Sequence, residues 1–348
     1  MSLSQPLNWS PATLDRESGE RVKPGFLAEA LAAENLLTLV LAQGRTLLNP
    51  DGTIAYLTPD AASALRGQAG PDALDVYLGR TVDLGGTLNP PLGRALTSPF
   101  PPGTRLALLA GVDDDAALAA APAGAGWAGF RDVAALLSEQ DSAVFVESLA
   151  IANWHRSHRF CPRCGAPTEI VAAGWVRRCS EDGSEHYPRT DPAIIAAVVG
   201  PDGRILLGGG NNWDANRFST LAGFVEPGES LEQAVVREIA EEVGVRVHRA
   251  EYLGSQAWPF PASLMLGYLA HTDDTVATPD GEEVTRARWI SRADMQPLVS
   301  SGEIVISGRL SIARRLIEHW YGGRILDAGE EAPGAAAETA GPQARVRR

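Results

Sequence analysis

The chain is predicted to be an α+β protein in which two mixed α/β domains flank a small cysteine module. Three observations lead there. At 348 residues it exceeds one ordinary core, and length alone suggests two or three domains. Short apolar runs bounded by Gly and Pro alternate with helical stripes in both halves. Its three cysteines, Cys161, Cys164 and Cys179, fall within 19 residues near the middle. A clustered, odd set argues for metal and against disulfides.

Composition narrows the class. A hydrophobic content of 45% is that of a globular protein, and no apolar run approaches the length of a membrane helix. The opening residues lack a basic segment followed by an apolar one, so a cytoplasmic location is expected. A net charge of −13 opposes general affinity for polyanions, so any nucleic acid would be held locally. Lys23 is the only lysine; the arginine skew matches the codon bias of a G+C-rich genome.

Residues 1–24 are polar and are expected to be a flexible N-terminus. An N-terminal domain over 25–156 follows. Its runs at 34–43, 53–60, 75–84 and 104–112 read as strands between Gly and Pro turns. Residues 116–129, rich in Ala and Gly, read as a loop or a weak helix, and amphipathic helices are expected near 130–139 and 142–155. No chemical motif stands out in this half. The cysteine module spans 157–190, and the last domain spans 191–325. There, the runs at 193–200 and 203–210 read as strands joined by a Pro-Asp-Gly turn. A strand and loop over 220–229, strands near 246–254, 263–270 and 284–290, and helices near 291–298 and 309–320 complete it. The tail, 326–348, has almost no large apolar residues and is expected to be disordered.

The helix beginning at Ser230 carries the chemistry. Ser230 is a good N-cap, and Gln233 three residues on completes a capping box. Leu231 and Val235 start an apolar stripe that continues through Glu238 and Glu242. At about 100° per residue these four fall within a wedge of roughly 60°. Inward carboxylates one turn apart repel each other unless a cation lies between them, and hard oxygen ligands suit Mg²⁺ or Mn²⁺. A solvated, salt-bridged surface helix would not interrupt its apolar stripe in this way.

In the cysteine module, Cys161-Pro-Arg-Cys164 is one thiolate knuckle and Cys179 opens a second. Structural zinc is tetrahedral and closed, so a fourth ligand is needed; Asp182, Glu185 or His186 could supply it. Zinc there would be structural. The preceding Trp154-His155-Arg156-Ser157-His158-Arg159 reads as a solvated helix end, with phosphate contact as the alternative.

Gly223, Glu229, Arg237, Glu238, Ile239, Glu241, Glu242, Gly244 and Val245 fill every fixed place of the Nudix signature, and the stretch resembles the Nudix hydrolases. Beyond it, Ser255-Gln256-Ala257-Trp258-Pro259-Phe260-Pro261-Ala262-Ser263 closely resembles the SQPWPFPxS motif of the NADH pyrophosphatases, the NudC-type NAD(H) diphosphatases. Ala257 stands where that family has proline. Trp258 and Phe260 offer faces for a base or nicotinamide ring, Gln256 and Ser263 can hydrogen-bond an amide or ribose, and Pro259 and Pro261 stiffen the segment.

The resemblance covers about 155–325 and implies a Nudix α/β/α sandwich with a mixed sheet, preceded by a zinc ribbon. It implies metal-dependent hydrolysis of the NAD(H) pyrophosphate to nicotinamide mononucleotide and AMP, removal of NAD caps from RNA 5′ ends, and a homodimer. It assigns Mg²⁺ or Mn²⁺ to Glu238, Glu241, Glu242, Glu283 and the Ala222 carbonyl. Glu229 is expected to orient Arg237, and Glu241 or Glu283 is the candidate general base. Tyr187, Phe224 and Ala313 match substrate-contacting positions, and the fourth zinc position, cysteine in relatives, is Asp182 here. Two rival readings are a Nudix hydrolase of another nucleoside diphosphate derivative and a non-catalytic nucleotide sensor. The aromatic-Pro segment argues against the first, and the intact carboxylates against the second.

Overall fold

A computed structural model describes residues 14–70, 72–82, 100–134 and 136–330. The flexible start and disordered tail expected from composition lie outside the described residues at 1–13 and 331–348. The chain divides into two compact units, 1–193 with 254–265, and 194–253 with 266–348.

In the first unit the elements run β1 (Leu14–Asp15), α1 (Phe26–Leu31), β2 (Leu36–Ala42), β3 (Arg45–Leu48), α2 (Pro59–Gln68), β4 (Leu74–Thr81), β5 (Arg105–Ala110), α3 (Asp114–Ala120), β6 (Gly126–Gly129), α4 (Phe130–Val133) and α5 (Glu139–Ser157). The sheet order is β1-β4-β5-β2-β3-β6, with β2 and β5 parallel, Leu36 opposite Arg105. Strands β2 and β5 are near-continuous apolar runs, as a strand covered on both faces requires. Helices α2 and α3 cover one face through Ala62, Leu65 and Ala117, packed on Val40, Leu47 and Leu109.

The structure departs from the sequence reading here in four places. Residues 53–60 form no strand; only isolated bridges at Ile54 and Leu57 remain. Thr58 instead caps α2, accepting the Ala61 N–H with Pro59 in the first turn. Residues 116–129 hold the end of α3 and then β6. The long helix begins at Glu139 because Ser138 accepts the Asp141 N–H, leaving α4 a single turn. The described part of the start, 14–24, is tied down: Arg16 pairs with Glu147 at 2.9 Å and Arg21 lies 4.1 Å from the Trp175 ring.

The cysteine module belongs to the same unit. Strands β7 (Thr168–Val171), β8 (Val176–Cys179) and β9 (Glu185–His186) make a three-stranded sheet. Its Gly174 approaches β4 so closely that a Cβ would meet Val76 at 2.7 Å, and Trp175 Nε1 donates to the Tyr77 carbonyl at 2.7 Å. The end of α5 is the solvated end expected only in part: Trp154 and His155 are buried, while Arg156, Ser157 and the following Arg159 are exposed.

Strands β10 (Asp191–Val199), β11 (Ile205–Gly210), β12 (Leu221–Phe224), β13 (Val247–Trp258), β14 (Ser263–Thr272) and β15 (Val284–Ile290) form a sheet of order β13-β14-β10-β11-β15, with β12 on β10. The Pro-Asp-Gly turn joins β10 to β11, which pair antiparallel. Helices α6 (Leu231–Val243), α7 (Arg292–Ser300) and α8 (Ile312–Tyr321) belong to this second unit. The fully buried Arg314 of α8 is held by Glu318 and by Asp327 at 2.8 Å, so residues 326–330, expected in the disordered tail, are also fastened. With two mixed sheets and flanking helices the chain is α+β, as expected from sequence.

Candidate metal and nucleotide site

Helix α6 starts as its sequence dictates. Ser230 Oγ accepts the Gln233 N–H and the Gln233 side chain accepts the Ser230 N–H, a complete capping box. It stops at Gly244, whose left-handed φ of 65° suits glycine. Val235, Ile239 and Val243 fill the core, and the same buried stripe carries Glu242, 6% exposed. Its Oε2 has no hydrogen-bond partner among the described residues.

Burial first, then the charges of Glu238, Glu283, Asp280 and Glu241, push the Glu242 carboxyl up to about 8. Burial likewise raises Glu238. Four carboxylates thus surround one orphaned buried oxygen, an arrangement that a divalent cation would relieve. The donor set, hard oxygens only, fits Mg²⁺ or Mn²⁺.

Arg237 braces this group. Its Nε and one terminal nitrogen hold Glu229 in a bidentate fork at 2.9 and 2.8 Å, and the same nitrogen donates to the Phe224 carbonyl at 2.9 Å. Its other terminal nitrogen lies 2.9 Å from both Glu238 and Glu241. The guanidinium and the Glu226 N–H hold the Glu229 carboxyl down at about 2. Gly223 of β12 leaves the space that Glu238 occupies: a Cβ there would sit 1.9 Å from the Glu238 carboxyl carbon. Ala222 is in the same strand, half-buried, and Phe224 is exposed.

Glu283 is exposed at the start of β15, and its charge reaches both Glu238 and Glu242. Asp280, which sequence reasoning missed, organises this turn. It accepts the N–H groups of Glu282, Glu283 and Val284, and its own N–H donates to the Glu242 carbonyl at 3.0 Å. The Asp-Gly pair at 280–281 was the available signal.

The aromatic-Pro segment is a hairpin, not a loop: Ser255–Trp258 end β13, Pro259–Ala262 turn, and Ser263 opens β14. Gln256 and Ser263 are buried, while Ala257 is exposed. The Trp258 and Phe260 rings meet edge-on at 5.1 Å. Asn153 of α5 donates to the Pro259 carbonyl at 3.0 Å. Arg131 of α4, also missed from sequence, lies 4.3 Å from the Phe260 ring and 5.6 Å from that of Trp258. Tyr187 is exposed, its hydroxyl donating to Glu185 at 2.9 Å. Ala313 is buried in the first turn of α8, its N–H donating to Ser311 Oγ.

The ligand atoms of Cys161, Cys164, Cys179 and Asp182 all lie within 4.8 Å of one another. Of the three fourth-ligand candidates, Asp182 is the one grouped with all three sulfurs within that distance among the described residues. Glu185 is engaged by Arg178 and Tyr187, while His186 hydrogen-bonds Ser184 and the Cys161 thiol. Hydrogen bonds from the Ser184 hydroxyl and N–H hold the Asp182 carboxyl down at about 2, so it is an anionic donor. Three sulfurs and a carboxylate fit zinc by donor type.

Residues 189–306 match the NUDIX domain family. Just before them, residues 156–187 match the NADH pyrophosphatase zinc ribbon domain. The chain is 39% identical over 200 residues to the NAD-capped RNA hydrolase NudC of Mycobacterium tuberculosis H37Rv, covering 55% of this chain and 64% of that one. It is 37% identical over 196 residues to the human NAD-capped RNA hydrolase NUDT12, covering 53% of this chain and 42% of that one. It thus spans less than two thirds of the length of these relatives. A NUDIX hydrolase from Nitrosomonas europaea superposes with a TM-score of 0.39 at 20% identity, over 49% of this chain and 97% of that one. No helix among the described residues is long and apolar enough to cross a membrane.

Proposed function

We propose that the chain hydrolyses the pyrophosphate bond of NAD(H) to nicotinamide mononucleotide and AMP, and removes NAD caps from RNA 5′ ends. The observation that carries this reading is the orphaned, buried Glu242 oxygen among Glu238, Glu241 and Glu283, in a domain joined to a ribbon of the NADH pyrophosphatase kind. Both relatives described above are named as NAD-capped RNA hydrolases.

Glu238, Glu241, Glu242 and Glu283, with the Ala222 carbonyl, would hold Mg²⁺ or Mn²⁺. When bound, such ions neutralise charge developing on phosphorus oxygens and lower the pKa of the attacking water. Glu229 fixes Arg237, and Arg237 keeps the carboxylates of Glu238 and Glu241 turned to one place. A proton from the water goes to Glu241 or Glu283, the two exposed carboxylates of the set. Trp258 and Phe260 supply ring faces, Gln256, Ala257, Pro259, Pro261, Ala262 and Ser263 shape the same segment, and Tyr187, Phe224 and Ala313 complete the substrate contacts. Cys161, Cys164, Cys179 and Asp182 hold a structural Zn²⁺.

The reading extends to a cytoplasmic homodimer with an N-terminal domain at 25–156, a ribbon at 157–190 and a Nudix domain at 191–325. A reducing compartment suits thiols gathered for metal. Sedimentation of the purified protein checks the dimer. Product analysis with NADH and Mn²⁺ tests the activity: mononucleotides are expected in equal amounts, and intact NADH under all metal conditions would overturn it.

A further inference from the structure

Wholly within the first unit lies a cleft of about 720 Å³. Its walls are the C-terminal ends of β2 and β5, the last turns of α5 and the cysteine module. Arg177, on β8, lines it and is 8% exposed. The guanidinium reaches only neutral groups: Thr168 Oγ1 at 2.6 Å, the Thr168 carbonyl at 3.1 Å and His155 Nδ1 at 2.9 Å. No carboxylate pairs with it among the described residues. A buried cation without a paired anion is costly, and an anion bound in the cleft would relieve that cost.

Two more arginines share the wall. Arg156 is occupied only by the Asn153 side-chain oxygen at 3.0 Å. Arg159, whose charge is felt at Arg177, meets Asp72 at 3.4 Å in an exposed pair. The other acid on the wall, Asp114, is already matched by Arg45 at 3.1 Å. Positive charge therefore gathers here on a chain of net charge −13. Beside it Phe160, 63% exposed, presents an unburied ring. Cations next to a free aromatic face are what a nucleotide needs, phosphate on one and base on the other. The volume suits such a ligand, since small-molecule sites run to about 300–1,000 Å³.

We propose that this cleft is a second binding site, for a nucleotide phosphate, with Arg156, Arg159 and Arg177 as its cations and Phe160 as its stacking face. The phosphate belongs either to a free mononucleotide or to the nucleotides of an RNA chain. The site shares no residue with the proposed hydrolytic centre, so it stands or falls on binding, whatever turnover assays give.

The test is calorimetry on the full chain without added divalent metal, with AMP and with a short 5′-phosphorylated oligoribonucleotide as probes. Arg156→Ala/Arg159→Ala is expected to weaken binding of at least one probe by about tenfold or more, and Phe160→Ala to weaken it too. Asp72→Asn, which removes a competing exposed carboxylate, is expected to tighten it. NADH hydrolysis should be unchanged in all three. Arg177→Met should abolish cleft binding, and because it could unfold the module, the exposed substitutions carry the decision. Loss confined to AMP identifies a free nucleotide, and loss confined to the oligonucleotide identifies RNA. If the double variant and Asp72→Asn bind both probes as the unaltered chain does, the site does not exist.

Discussion

Glu242 concentrates the chemistry in one side chain: a carboxylate in the core stripe of a helix, one oxygen unpartnered among the described residues, with four further acids around it. Changing it to Gln keeps the shape and removes the charge. We expect kcat for NADH to fall by on the order of a hundredfold or more, with the metal-free fold intact or slightly stabilised as repulsion is relieved. Steady-state kinetics and thermal melts check this; near-normal turnover in a folded variant would defeat the metal assignment.

His155 is the complementary case, buried and neutral. An arginine can only donate, so Arg177 fixes Nδ1 as acceptor, and Nε2 carries the proton donated to the Gly174 carbonyl at 2.8 Å. Burial above all, and the Arg177 charge, hold its pKa down at about 4 against 6.5 for the free side chain. Between those values the unfolded chain binds more protons than the folded one. The contribution is therefore full above pH 6.5 and is lost as pH falls through that window, by up to about 3 kcal/mol. Urea midpoints from pH 7 to 4.5 should show the slope, and His155→Gln should flatten it.

At the scale of elements, the cysteine module and the β13–β14 hairpin each hold a testable part. Cys161→Ser should lose zinc and thermal stability together, because structural zinc contributes folding free energy. Turnover of NADH below the lowered melting temperature should persist. Metal analysis beside calorimetric melts decides it, and a variant that keeps full zinc would refute the ribbon assignment. In the hairpin, Trp258→Ala removes a ring that meets Phe260 edge-on. Losing one stacking partner should cost about 1–3 kcal/mol and fall more on NADH than on ADP-ribose. An unchanged preference between the two would make the hairpin a scaffold alone. Helix α6 was readable residue by residue, since its cap, stripe and terminal glycine act within a few turns. The hairpin was readable only in part: both strands were expected, but the run of β13 on through Trp258 is set by pairing across the sheet, which local sequence does not display.

For the whole molecule, the division into units places residues 254–265 with residues 1–193, far away in sequence. Asn153 holds the Pro259 carbonyl, and Phe130 faces Phe260 with ring centroids 6.5 Å apart. A chain ending at residue 193 would leave that surface bare. We expect it to melt lower and to bind a hydrophobic dye, and addition of a peptide spanning 254–265 to reverse part of both effects. A truncated chain as stable as the full one would show the segment contributes nothing there.

Taken alone, the amino-acid sequence determined the α+β class, the metal-suited helix and the thiol cluster. These rest on spacing, capping and donor chemistry, which act over a few residues. Tertiary structure decided which groups meet across long separations. It placed the Asp182 carboxylate within 4.8 Å of the three sulfurs, brought Asp280 and Glu283 to α6, set Arg131 over Phe260, and buried Arg177 beside an open cleft. Those outcomes depend on how sheets pair and how close Gly174 and Gly223 let their neighbours come, and packing across a fold leaves no periodic trace along the chain.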